Sequence, residues 1–233
     1  MNLTSKKSTD RGGADHGWLK SRHTFSFGDY YDRDAMGFRS LRVINQDVVA
    51  PGGGFPTHPH RDIEIFSYVL DGTLEHKDSL GNGRRLLPGQ IQLMSAGTGV
   101  QHSEFNPSAT EPLHFLQIWI QPHTRGLQPS YTEWHPDTND HSEFKTLVIS
   151  PDGRDRSATI NQDARVYRIK LPAGAVDAHT IEPGRGVWLQ LIRGSVTANQ
   201  IPLDAGDAVH TDDSGTIILS ALDDAEALLF DLA

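Results

Sequence analysis

Two short stretches carry the side chains best suited to chemistry. In "THPHRDIE", His58 and His60 stand two residues apart, and in "QHSEFN" His102 and Glu104 do the same. On an extended strand, side chains at i and i+2 leave the same face, roughly 7 Å apart, so each pair can aim two donors at one point. Together the segments offer three imidazoles and a carboxylate, a mixed N/O set that suits Fe(II), Mn, Co, Ni, Cu or Zn. Four protein ligands in a six-coordinate shell leave two positions open, which favours catalysis over a purely structural metal. A lone HxH is more often surface or turn chemistry, and a lone HSE says less; the joint occurrence in one strand-rich segment is the specific signal. The letters HSEF return in "DHSEFK" (Asp140 to Lys145), where no HxH accompanies them.

The elements that must position these residues read as strands. "RSLRVINQDVVA" (39–50) is rich in β-branched residues and ends at "PGGG", a turn signal. "IEIFSYVLDGTLEHKDS" (63–79) predicts a hairpin around Asp71-Gly72. "RRLLPGQIQLMSAGTG" divides at Pro-Gly, and "LHFLQIWIQP" alternates and stops at proline. If the strand parity of the two histidines continues, Glu64, Phe66 and Tyr68 share their face. Pro59 stiffens the backbone between the histidines and suits an edge or irregular strand. The polar, proline-containing stretch 124–140 reads as a bridge between halves.

The second half repeats the first in outline. "FSYVLDGTLEHKD" pairs with "WLQLIRGSVTANQ", matching Gly72 to Gly194, and "LLPGQIQLMS" pairs with "PLDAGDAVHT", matching Gly89 to Gly206. The repeat points to a duplicated β-barrel. Sliding the halves on these glycines puts Thr180, Glu182, Leu219 and Ala221 at the places of His58, His60, His102 and Glu104, with His179 and His210 off those places. The C-terminal half is therefore expected to lack a metal site.

Composition limits the function classes. The 233 residues carry 21 basic and 30 acidic side chains, a net charge of −9, a poor match for direct binding of nucleic acid. With no cysteine, disulfides, zinc fingers, iron–sulfur clusters and thiol nucleophiles are excluded. No stretch approaches eighteen consecutive apolar residues and no secretory h-region opens the chain, so neither a membrane span nor a signal peptide is expected and a cytoplasmic location is.

"GGGFPTHPHRDIEIFSYVLDG" followed by "LLPGQIQLMSAGTGVQHSEFNP" resembles the two metal-binding motifs of the cupin superfamily, and more closely those of the pirin family with its bacterial quercetin 2,3-dioxygenases. "HGWLKSRHTFSFGDYYD" and "MGFRSLRVINQD" resemble that family's N-terminal signature. The resemblance implies an all-β bicupin, two facing antiparallel jelly-roll barrels with few short helices. Residues 1–125 would form the metal-binding barrel and 126–233 a degenerate one. The implied ligands of one divalent ion, iron before Ni, Co, Mn, Cu or Zn, are His58, His60, His102 and Glu104. Cupins often draw their carboxylate from the place of Glu64; the pirin pattern uses the Glu after the last His, which leaves Glu64 as a supporting acid. The implied activity is oxidative ring opening of a flavonol such as quercetin, with dioxygen as co-substrate and carbon monoxide released. Glu104 would act as general base, and Phe66, Tyr68 and the residues near Met94 would wall the cavity. Eukaryotic pirins suggest the alternative of a metal- or redox-sensing regulator with a protein partner, and a further alternative is a cupin acting on another small molecule. His76 is expected to point into the first barrel and His114 to be structural; His16 and His23 belong to the N-terminal signature.

Overall fold

The computed structural model describes residues 1–136 and 144–233. Its strands in chain order are β1 (Thr4–Lys6), β2 (Gly12–Asp15), β3 (Leu19–His23), β4 (Leu41–Val49), β5 (Gly54–His60), β6 (Glu64–Asp71), β7 (Leu74–Asp78), β8 (Gly83–Leu86), β9 (Ile91–Ser95), β10 (Val100–Phe105), β11 (Leu113–Ile120) and β12 (Ser130–Trp134). They continue as β13 (Lys145–Ser150), β14 (Ala158–Thr159), β15 (Ala164–Leu171), β16 (Val176–Ile181), β17 (Gly186–Arg193), β18 (Ser195–Ala198), β19 (Ile201–Asp204), β20 (Ala208–Thr211), β21 (Gly215–Ala221) and β22 (Ala225–Leu232). Among the described residues the only helical turns are two 3-10 turns, Ser8–Asp10 and Arg154–Arg156. None is long and apolar enough to cross a membrane.

The chain divides into two compact units, Gly12–Asp137 with Ala158–Gln162, and Met1–Arg11 with Thr138–Ser157 and Asp163–Ala233. The first eleven residues thus cluster with the C-terminal half, where β1 pairs with β20. Both units are antiparallel two-sheet structures of the same plan. In the first, the sheets run β12-β9-β6-β11-β4-β3-β2 and β5-β10-β7-β8; in the second, β1-β20-β17-β22-β15-β13 and β16-β21-β18-β19. The six strands from β12 to β3 match those from β1 to β13 in order, and β5-β10-β7-β8 matches β16-β21-β18-β19, so the duplicated all-β architecture read from the glycine spacing is present.

The pairing differs from the sequence expectation at the turns. Asp71-Gly72 does not close a hairpin: β6 pairs with β11 and β9, whereas β7 pairs with β10 and β8. Gly72 carries the chain from one sheet to the other at φ +83°, and a Cβ there would lie 2.6 Å from the Pro112 carbonyl oxygen. Gly194 makes the same crossing between β17 and β18. The bridge at 124–140 is not all connection either, because β12 within it pairs with β9.

The interior of the first unit is layered. Leu19, Val49, Val69, Leu74, Leu86, Leu113 and Phe115 form one apolar cluster, and Ile65, Met94 and Val100 another, with Trp119 packed against it. A row of buried polar residues in direct register, Gln92, Ser67, Gln117, Asn45 and His23, crosses the larger sheet. The smaller sheet answers with His102 opposite Asp78 and Glu104 opposite His76. In the second unit an aliphatic cluster that includes Ile181, Leu189, Val196, Ile217, Leu219 and Leu229 is buried instead.

Candidate metal centre

The local fold brings the HPH and HSE segments together as neighbouring strands, with His102 directly opposite His58. The β5–β10 register shifts between His102 and Glu104, a bulge of the kind that re-aims side chains at functional sites. Along β10, Val100, His102 and Glu104 are buried and Gln101 and Phe105 exposed, so the i, i+2 pair shares the inner face as expected.

His58, His60 and His102 present ligand atoms within 4.8 Å of one another. Their ring centres are 4.5 to 4.8 Å apart. The Nε2 atoms of His58 and His102 face each other at 3.1 Å, close to the separation of about 3.0 Å for two nitrogens at right angles around an ion at about 2.1 Å. His58 donates its Nδ1–H to the Pro56 carbonyl at 2.8 Å, which leaves the Nε2 lone pair inward. Burial, helped by repulsion from the neighbouring imidazoles, lowers the pKa of His60 to about 4. Burial lowers His102 to about 4 as well, against the opposing pull of Glu104. Both rings are therefore neutral at physiological pH, the form that binds metals. The donor chemistry fits a divalent transition ion.

Glu104 groups with His102 and with a third residue, His76, rather than with the HPH pair. Its carboxylate is 1% exposed and held by neutral donors. Ser67 Oγ and Gln92 Nε2 donate to Oε1 at 2.7 and 2.9 Å, and Gln117 Nε2 donates to Oε2 at 3.0 Å. Tyr131 donates its hydroxyl to Glu133 Oε1 at 2.9 Å beside Gln92. Glu64 is occupied elsewhere, accepting from Ser95 Oγ at 2.6 Å and from the Asn161 backbone N–H at 3.2 Å, a supporting acid in the core.

A cavity of about 630 Å³ is lined by the aromatic Trp18, Phe27, Tyr30 and Phe55 and the polar Ser21, His23, Asn45, Asp47 and Gln117, with none of the four ligand candidates in its lining. It meets the centre along two lines. Gln117 touches Glu104, and Phe27 packs edge-on against Trp119, which packs edge-on against His60. His16 and His23, without a role in the sequence reading, both line this cavity. Phe66 and Tyr68, expected as its walls, do not. The chain turns at Asp62 (φ +51°) and β6 starts afresh in the other sheet, so the parity of β5 does not carry over. Ser67 takes the inward face, and its neighbours Phe66 and Tyr68 face away from the centre. His114 lies apart, within 3.0 Å of Gln46 Nε2. His141 and Glu143 of the second HSEF lie outside the described residues.

The Glu104 cradle is the part that sequence reasoning missed. Its one signal is a lone amide inside each apolar strand, Gln92 in "IQLMS" and Gln117 in "LHFLQIWI".

The second unit also corrects the sliding of the repeat. Ala198 is the counterpart of His76 and stands opposite Leu219, so Leu219 matches Glu104 and Ile217 matches His102. Opposite Ile217 stands His179, which takes the place of His58 instead of falling off the pattern. Among the described residues it belongs to no group of three metal donors: its Nε2 meets Asp231 Oδ2 at 3.0 Å, and Asp231 also receives Arg185.

The Pirin family model matches residues 4–120, and a model described as the quercetinase C-terminal cupin domain matches 147–232. The chain belongs to the pirin family. Its relative named quercetin 2,3-dioxygenase in Escherichia coli strain K12 is 48% identical over 97% of each chain. The crystal structure of E. coli YhhW superposes with a TM-score of 0.96 at 47% identity, covering 100% of this chain and 98% of that one. A second structure, of the bacterial pirin YhhW in complex with nickel(II), gives 0.94 at 47% identity over 99% of both. Nickel(II) in that pirin belongs to the class of ions that the three imidazoles here would accept.

Proposed function

We propose that this pirin is a metal-dependent dioxygenase that opens the ring of a flavonol such as quercetin and releases carbon monoxide. The observation that carries the reading is the group of three converging imidazoles set beside an aromatic-walled cavity of about 630 Å³, large enough for a flat polyphenol. The dioxygenase names of close relatives support it.

His58, His60 and His102 would hold the ion, iron first and nickel, cobalt, manganese, copper or zinc after it, with Glu104 as the carboxylate of the site. The bound ion supplies Lewis acidity toward the substrate hydroxyl and a place for dioxygen. The chain's own contributions can be stated by residue. Trp18, Phe27, Tyr30 and Phe55 sandwich the rings and exclude water; Asn45, Asp47 and Gln117 receive phenolic hydroxyls on the floor of the cavity. Glu104 has about four lone-pair sites and uses three in its hydrogen bonds. The remaining one can accept the flavonol 3-hydroxyl proton, which leaves an electron-rich enolate for attack by dioxygen at C2. The C-terminal unit, filled with aliphatic side chains, serves as a barrel without metal.

The test is oxygen consumption and carbon monoxide release with quercetin, measured on metal-loaded and metal-stripped protein. Loaded protein should turn over, and His58→Ala or His102→Ala should lose metal and activity together. Turnover by stripped protein, or none by loaded protein, overturns the proposal.

A further inference from the structure

The connection between β3 and β4 changes character at Ser26. Thr24, Phe25 and Ser26 are buried, whereas Phe27, Gly28, Asp29 and Tyr30 are half-buried or exposed and all line the aromatic cavity. The base of this small hairpin is pinned. Ser26 Oγ donates to the Asp32 carbonyl at 2.8 Å and accepts from the Asp32 backbone N–H at 2.9 Å, and Arg42 donates to the Ser26 carbonyl at 2.9 Å. Its two ends are tied by reciprocal backbone bonds between Phe27 and Tyr30, each 3.0 Å. At the tip Gly28 takes φ +57° with open space where a Cβ would stand. The hairpin is thus placed by its base and by what its two rings touch.

The two rings have different supports. Phe27 packs edge-on against His23 and against Trp119, with ring centres 5.4 Å apart in each case. Tyr30 lies on the backbone of β2. A Cβ on Gly12 would stand 2.3 to 2.5 Å from Cγ, Cδ1 and Cδ2 of the tyrosine, far inside the carbon contact distance of about 3.5–4.0 Å. Gly12 is opposite His23 in the β2–β3 ladder, and His23 lines the cavity. Residues opposite each other in a ladder share a face, so a Cβ on Gly12 would drive the Tyr30 ring toward the cavity. Gly12 has no positive φ and is absent from the cavity lining. The backbone therefore does not require glycine at this position; the seat of the ring does. The Tyr30 hydroxyl is 3.4 Å from Oδ2 of Asp32, a residue outside the lining, which leaves the ring as the part that meets a ligand.

We infer that Tyr30, seated on Gly12, is the specificity-determining wall of this cavity. The missing Cβ sets the clearance, and the ring admits flat aromatic molecules in preference to bent ones. A planar ligand meets an aromatic face over its whole area, and an aryl group turned out of plane forfeits that contact, a difference of about 2–10-fold in affinity. Because the base of the hairpin is pinned on Ser26 and Asp32, the ring has a fixed position from which to discriminate. The inference rests on the reading of this cavity as the flavonol site and narrows it to a shape. It uses neither the ion nor its ligands.

Luteolin and eriodictyol are the probes. They carry the same hydroxyls, but eriodictyol is saturated between C2 and C3, which turns its aryl ring out of the plane. Neither has a 3-hydroxyl, so affinity is read by calorimetry on metal-loaded full-length protein without turnover. Wild type should bind luteolin about 10-fold more tightly than eriodictyol. Tyr30→Phe should keep that ratio, and Tyr30→Ala should bring it to about 2-fold or less. Gly12→Ala should weaken luteolin by about 10-fold through the displaced ring. Added to Tyr30→Ala it should change nothing, the non-additivity of two residues that act through one contact. A role confined to holding the fold would lower both affinities together and leave the ratio where it was. Far-UV circular dichroism checks each variant; if Gly12→Ala does not fold, Tyr30→Phe against Tyr30→Ala decides. A wild-type ratio near one, a ratio that survives Tyr30→Ala, or binding of neither compound overturns the inference. Selective binding of luteolin without turnover of quercetin leaves it standing and counts against the dioxygenase reading alone.

Discussion

At the scale of single residues, Glu104 shows how a buried carboxylate is held in place by neutral donors. Three neutral donors converge on it, and hydrogen bonds to a charged acceptor are worth more than neutral ones. Glu104→Gln keeps the shape but turns one acceptor into a donor that faces other donors. It should destabilise the fold by about 1–3 kcal/mol, read from denaturant midpoints, and abolish quercetin turnover even where metal is retained. The HPH and HSE spacing spelled out the histidines because side-chain alternation on strands is rigid. It did not reveal Gln92 and Gln117, since a single amide in an apolar run is also what an ordinary strand contains. Nor did it place Phe66 and Tyr68, because parity fails wherever a chain changes sheet, and the turn at Asp62 does this between two segments that read as one.

At the scale of elements, the strands that carry and flank the HPH and HSE segments were legible and their pairing was not. A glycine turn between two apolar runs looks alike whether the second run folds back beside the first or crosses to the opposite sheet. Gly72 makes the crossing. Gly72→Ala would bring a Cβ within 2.6 Å of the Pro112 carbonyl at φ +83° and should cost more than about 1 kcal/mol, seen as a lowered thermal midpoint. The strand β1 is held differently. Asp207 accepts from the Ser8 backbone N–H at 2.7 Å and from Lys7 Nζ at 2.8 Å. Burial alone would raise its pKa, but the bonds from Lys7, Ser8 and Asp204 outweigh burial and hold it below its ordinary value. A carboxyl lowered in the folded state lends stability above its unfolded pKa and loses it as pH falls through the folded one. Amide exchange protection of β1 should therefore drop selectively below about pH 4, and Asp207→Asn should mimic the drop at neutral pH.

At the scale of the whole molecule, two copies of one plan have kept their strand order and exchanged their contents. The first interior holds a polar layer for chemistry; the second is aliphatic, with His179, Asp231 and Arg185 as its buried ionic group. Breaking such a group from one side leaves a buried charge unpaired, so Asp231→Ala should cost about 3–5 kcal/mol in chemical denaturation while the metal content stays unchanged. The duplication was readable from the glycines, but the alignment within it was off by two residues on β21, because the turns on either side differ in length and only strand register fixes which residues correspond. The placement of β1 has one more consequence, for the order of events during synthesis. The partner of Thr4–Lys6 is Ala208–His210, made about 200 residues later, so at about 5–20 residues per second the N-terminal strand waits on the order of 10–40 s for it. Throughout that interval the strands β2 to β12 can already be assembling, and the first segment to leave the ribosome is among the last to find its place.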